Sequence, residues 1–280
     1  MPIVTRWRTP ASLIGLCLLL SISGPAAADL ILTSPPRETP ATGQKIYGPI
    51  AAYLTKLWGT KVVYQHPSNW LDYQRDMRHD KYDIVFDGPH FAAWRMVHLG
   101  NRVAVRLPGF LQFVLFVHAD DKHVDGPEQL IGKQICTLPP PNLAALSVID
   151  QYPNPARQPV LRGIRGGPPN LLKQFKADKC TAAVLRTQYV NKKMTDKGRA
   201  ALRIIFTSKK FPNQSLTVSK RISDAQMEKM IKGLTQDPAG IAATQRLVKR
   251  FGGKAKHFIP ADPAEFTGIN KLLEGVVFGW

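Results

Sequence analysis

Acidic residues are in short supply in this chain. Its 280 residues hold 20 Asp and Glu against 38 Lys and Arg, a formal charge of +18. A surplus of that size points to nucleic acid, an anionic surface or an acidic ligand. Cysteine is nearly missing, at three residues with no C-x-x-C pair, which argues against thiol redox chemistry. No H-x-H or H-E-x-x-H pair occurs, and the nearest histidines, His118 and His123, are five apart, so no metal site is expected. Neither a G-x-S-x-G elbow nor a paired-carboxylate pattern is present, so hydrolytic catalysis has no positive sign. The stretch Gly126 to Gly132-Lys133 is one residue too long for a phosphate loop and runs into Gln134 where Ser or Thr is needed. Beyond residue 30 no apolar run is long enough to cross a bilayer. With 44% apolar and 21% charged residues, wholesale disorder is excluded, and the length suits one large domain or two of modest size.

What is present begins with an address. Arg6 and Arg8 precede an apolar stretch from Ala11 to Ile22, then Gly24-Pro25-Ala26-Ala27-Ala28 before Asp29. This is the pattern of a cleaved secretory signal over residues 1–28, and a periplasmic location is expected. Cys17 lies in the apolar stretch behind Leu16, where a lipoprotein signal needs a small residue, so lipidation is not expected. The remaining 252 residues carry 36 basic and 20 acidic side chains, or +16. Export puts Cys136 and Cys180 where disulfides persist. Each sits at a short strand-like run, Gln134–Thr137 and Cys180–Val184, and a bridge can form if those strands are neighbours.

The rest alternates strand and helix patterns, which implies an α/β fold with sheets flanked by helices. Strands are expected at Leu30–Thr33, Lys61–Tyr64 and Ile84–Phe86. Helices are expected over Lys45–Trp58, after a Ser68 cap, and from about His90 to Leu99. A second set follows, with strands at Gln134–Thr137, Val160–Ile164 and Thr181–Leu185 and helices starting near Asn142, Pro169 and Gln188. Between the sets lie Arg102–Arg106 and the long run Leu111–Val117. After them come Leu202–Phe206, Leu216–Val218, a helix capped by Ser223 and a helix over about Ile241–Arg250.

In open α/β sheets ligands sit beyond the strand carboxyl ends, at helix starts where backbone N–H groups favour anions. Four such loops stand out: Ser34-Pro35-Pro36-Arg37, Asp87-Gly88-Pro89-His90, Thr137 to Asn142, and Arg186-Thr187-Gln188-Tyr189. The candidate ligand residues are therefore Ser34, Arg37, Asp87, Gly88, His90, Thr137, Asn142, Arg186 and Tyr189, with no catalytic residue and no cofactor.

Several segments resemble the exported substrate-binding proteins of phosphate, phosphonate and phosphite ABC transporters. They are Ser34–Pro40, Ile46–Leu54, Lys81–Pro89, Lys176–Val184, Asp237–Gly240 and Phe258–Ala261, in that order. The resemblance implies a type II periplasmic-binding fold of two lobes, each a mainly parallel sheet with flanking helices, joined by two crossing strands. Lobe one would comprise 29–107 plus 212–280 and lobe two 108–211, with crossings at about 107–116 and 205–218. It also implies capture of a small anionic solute for an ABC permease or a membrane sensor. Phosphonate-binding relatives place a Ser/Thr-rich run where this chain has Thr137-Leu138-Pro139-Pro140-Pro141-Asn142, and three prolines remove three backbone donors. Aminophosphonate binders carry an acid where this chain has Arg186, a residue suited to carboxylate or phosphate.

Two other functions compete: an enzyme on the same fold, which would need a matched nucleophile or cofactor anchor, and a basic nucleic-acid or surface binder. The best basic patch, near residues 192–203, reads as a solvated helix face, and no nucleic acid is expected as partner. A monomer is expected.

Overall fold

The computed structural model describes residues 1–3 and 28–274, so the expected signal segment lies almost wholly outside the described residues. The first elements are β1 (Leu30–Thr33), α1 (Pro40–Trp58), β2 (Val62–Tyr64), α2 (Trp70–Arg78), β3 (Ile84–Asp87), α3 (Pro89–Leu99) and β4 (Arg102–Arg106). Then come β5 (Phe110–Leu111), β6 (Phe113–His118), β7 (Gln134–Thr137), α4 (Leu143–Ile149), β8 (Val160–Gly163), α5 (Gly167–Lys176), β9 (Ala182–Arg186), α6 (Thr187–Lys193), α7 (Asp196–Ala200) and β10 (Leu202–Thr207). The chain closes with β11 (Phe211–Pro212), β12 (Ser215–Val218), α8 (Asp224–Thr235), α9 (Pro238–Phe251) and β13 (Ile259–Pro260).

Helix starts differ from the sequence reading because caps and prolines extend a helix beyond its apolar stripe. α1 begins at Pro40, ahead of Lys45, since Thr39 Oγ1 accepts from Thr42 N and Pro40 has no N–H to leave unpaired. α2 is capped by Asn69, not Ser68, through Asn69 Oδ1 and Asp72 N at 2.9 Å. α9 starts at Pro238 behind an Asp237 cap. The run Leu111–Val117 divides in two, Leu111 ending β5 and Phe113 opening β6.

Two main sheets result, ordered β13-β4-β12-β3-β1-β2 and β10-β6-β9-β7-β8. They are mixed rather than mainly parallel. β2-β1-β3 and β8-β7-β9 are parallel, as β-α-β crossovers require. β12 against β3 and β4, and β6 against β9 and β10, are antiparallel. The antiparallel partners include the strands that flank the passages between sheets. The chain passes between sheets twice, from β4 to β6 and from β10 to β12. On the way β5 and β11 pair antiparallel as a two-stranded ribbon, Phe211 opposite Leu111.

One apolar core lies under α1, α8 and α9, built from Leu32, Ile50, Leu54, Phe86, Leu216 and Leu247. A second runs across the ribbon, joining Val85 and Phe91 to Leu111, Phe113, Phe211 and Leu115. Burial of a Phe or Leu side chain contributes about 1.5–3 kcal/mol, so the crossing is apolar support for both sheets. Cys136 and Cys180 are bonded, with Cα atoms 5.6 Å apart. The condition for the bridge is met because β7 and β9 are neighbours, Ile135 opposite Ala182. No helix among the described residues is long and apolar enough to cross a membrane.

Candidate functional site

The loops at the strand ends of the two sheets meet around a cavity of about 320 Å³. From the first sheet it receives Pro35 and Arg37 after β1, Trp70 from α2, Gly88 and His90 after β3, and Phe251 from the end of α9. From the second it receives Pro139, Pro141 and Asn142 after β7, and Arg186 at the end of β9. Leu111, Phe113 and Gln214 from the crossing segments close it. No Asp or Glu is among the lining residues.

Arg37 is set by the β1 end. Its guanidinium carbon stands 4.7 Å from the Phe251 ring centre and 5.8 Å from that of Phe86, a cation–π contact on two rings. Its Nε and Nη2 are buried and have no hydrogen-bond partner among the described residues. A buried charged donor left unpaired is costly, so this group calls for an acceptor. Arg186, on the facing wall, has no hydrogen bond or ion pair to its side chain among the described residues. Burial pulls its pKa down from the ordinary arginine value, the direction of a cation lacking a countercharge.

Gly88 caps α3 and Pro89 occupies its first position. A side chain at residue 88 would put Cβ 2.7 Å from His90 Cε1 and 2.9 Å from Nδ1, so glycine leaves room for the imidazole. His90 is buried and makes a 3.1 Å hydrogen bond from Nε2 to the carbonyl of Pro141, from one wall to the other. A carbonyl only accepts, so the proton sits on Nε2 and Nδ1 carries a lone pair. That Nδ1 has no partner among the described residues. Burial, outweighing the attraction of Asp87, pushes the His90 pKa down to about 4.

Asn142 caps α4, its Oδ1 accepting from Ala144 N at 3.0 Å, and the residue lines the cavity. The prolines that remove donors also shape the wall: Pro139 and Pro141 line it and Pro141 supplies the carbonyl for His90.

Three of the expected residues lie beneath the surface instead. Ser34 is fully buried, its hydroxyl 3.4 Å from Tyr64 Oη and 3.5 Å from the Pro35 carbonyl. Thr137 is fully buried and donates to Leu138 O at 3.1 Å. Asp87 is gripped by Arg95 through two bonds of 2.6 and 2.9 Å, and Tyr73 donates to it at 2.5 Å. Burial, reinforced by the Asp87 charge, holds the Tyr73 phenol well above its ordinary pKa. This group anchors the Asp87-Gly88 loop from below. No motif spacing marks Arg95 for that role, although it lies on the buried side of α3 four residues after Phe91.

Tyr189 lines an adjoining cavity of about 390 Å³, which shares Phe113, Asn142 and Arg186 with the first. Trp70, Phe91, Gln214 and Phe251 line the first cavity and were not expected from the sequence. Trp70, Phe91 and Phe251 read as core by their apolar character, and only the meeting of the sheets brings them, with Gln214, to a shared space.

Residues 32–266 match the family described as ABC transporter, phosphonate, periplasmic substrate-binding protein. No curated protein matches the chain. Among solved structures, XAC2383 from Xanthomonas citri bound to ATP aligns with a TM-score of 0.68 at 13% identity, covering 89% of this chain and 99% of that one. PhnD1 from Prochlorococcus marinus in complex with methylphosphonate aligns at 0.59 and 12% identity, covering 88% and 97%. A binding-protein component of a Pseudomonas aeruginosa phosphonate ABC transporter aligns at 0.56 and 15% identity, covering 88% and 85%. At these identities the likeness carries the fold, the two-lobed type II periplasmic-binding architecture. The family match spans most of the sequence, and the chain belongs to the periplasmic substrate-binding proteins of phosphonate ABC transporters, a family of solute-binding proteins.

Proposed function

We propose that this protein captures a small organic anion between its lobes, with Arg37 and Arg186 as the opposed cationic jaws, and delivers it to an ABC permease. Lobe one is 29–107 plus 212–280 and lobe two 108–211, closing about the β5–β11 ribbon. Cleavage near Ala28 releases the chain into the periplasm. The observation that carries this reading is the pair of guanidinium groups on facing walls of one cavity that has no acidic lining residue. Arg37 contributes two buried nitrogens with no partner among the described residues. His90 adds a bare acceptor nitrogen, which suits an anion that still carries a proton, such as a hydrogen phosphonate.

Binding is favoured over catalysis by the same geometry. The Ser34 hydroxyl contacts Pro35 and Tyr64, and His90 is committed to a backbone carbonyl, so the two do not form a nucleophile–base pair.

The test is thermal unfolding of the purified protein with phosphate, methylphosphonate, larger alkylphosphonates and short carboxylates. A ligand at about 100 times its Kd stabilises by about 2.7 kcal/mol, a clear rise in Tm. No shift with any of these anions would overturn the reading.

A further inference from the structure

Resting on that reading of the cleft, we propose that its ligand is an elongated organic dianion, with one anionic end between Arg37 and Arg186 and the other at Lys192 and Lys193. The cleft has two compartments. The first, about 320 Å³, carries Arg37, and the second, about 390 Å³, carries Lys192 and Lys193. Arg186, Asn142 and Phe113 line both, so the compartments adjoin and Arg186 stands at their junction. Each alone lies at the low end of the range for drug-sized ligands, about 300–1,000 Å³. A bare tetrahedral oxyanion would leave most of that space empty.

The second compartment suits an organic body with a charged end. Leu138, Val184 and Leu185 supply apolar wall, and α6 supplies the two lysines. Neither lysine has an ion-pair or hydrogen-bond partner among the described residues. Their neighbours in sequence differ: Arg199 pairs with Asp196, and Arg203 pairs with Asp125. The basic stretch is thus divided: Arg199 and Arg203 are paired with acids, while Lys192 and Lys193 line the cleft without one. No acid lines either compartment. Three cations on one wall repel one another unless an anion joins them, and a ligand with an ammonium group finds no carboxylate to meet it.

The test compares two series of graded chain length by calorimetry: alkylphosphonates, and the matching phosphonates whose far end is a carboxylate. At one chain length or more, the two-headed compound is expected to bind about five- to tenfold tighter than its one-headed partner. In the double variant Lys192→Ala, Lys193→Ala that advantage disappears, while the affinity for the one-headed compound stays as in the wild type. If no chain length favours the second charge, or if the advantage survives in the double variant, the proposal is overturned while the capture of a single anion stands. Failure of both series to bind, with phosphate and short carboxylates also without effect, would instead remove the anion-binding reading itself.

Discussion

His90 and Pro141 are joined by a 3.1 Å hydrogen bond that runs from the first turn of α3 on one wall of the cleft to the proline loop on the other. The donor is a buried neutral imidazole, and the acceptor is the backbone carbonyl of the last of three successive prolines, none of which has an N–H. The proline run thus removes backbone donors from the cavity wall yet supplies an acceptor across it.

The burial of His90 sets a pH dependence. The folded pKa of His90 is about 4, below the ordinary 6.5, because burial disfavours the cation. The unfolded chain therefore binds more protons between these values. The His90 contribution is fully present above pH 6.5 and is lost as pH falls through that window, by about 3 kcal/mol at its lower end. Urea titrations from pH 7 to 4 are expected to show a steeper loss in the wild type than in His90→Gln. Parallel curves would show that His90 is not the group responsible.

Arg37→Ala and Arg186→Ala are each expected to weaken binding of whichever anion raises Tm, by about 10- to 100-fold, since each removes charge-assisted hydrogen bonds. Isothermal titration measures this directly. Because Arg37 has two buried nitrogens without a partner among the described residues, its removal is not expected to destabilise the unliganded protein by more than the lost ring stacking. A variant with unchanged affinity would place the anion elsewhere.

The Asp87–Arg95 pair lies wholly inside the protein. Arg95→Met leaves the Asp87 carboxylate buried with Tyr73 alone, and a loss of about 3–5 kcal/mol is expected. The double change Asp87→Asn, Arg95→Met removes the stranded charge and is expected to recover part of that loss. Chemical denaturation of the single and double variants gives the coupling between the two sites.

The Cys136–Cys180 bridge closes 44 residues of chain. The loop-closure relation gives about 4 kcal/mol for a loop of that length. Replacing both cysteines by Ser is expected to lower stability by an amount of this order, and the fall in the denaturation midpoint measures it. A shift below about 1 kcal/mol would mean that the unfolded chain is held compact by other means.

Much was legible in the chain because it is local. The alternation of apolar runs predicted the strands, and the ordered motifs from Ser34 to Ala261 predicted the two-lobed fold that the family match bears out. Arg37, Gly88, His90, Asn142 and Arg186 could be chosen because strand ends in such sheets share one edge, and the structure brings these five to one cavity. Helix starts were less legible, since Thr39, Asn69 and Asp237 act as caps by side-chain geometry, not by periodicity.

The sequence by itself determined the element order, the excess of positive charge and the strand-end positions of the two arginines. Only the tertiary structure decided which strand-end residues face the cleft. Asp87, one residue before Gly88, turns inward because Arg95 and Tyr73 wait there, eight and fourteen residues away in sequence. The mixed sheets, the ribbon of β5 with β11, and the aromatic walls of Trp70 and Phe251 likewise arise from long-range pairing. A side chain's direction at a turn is set by whichever partner the rest of the fold brings near, and that partner has no fixed spacing along the chain.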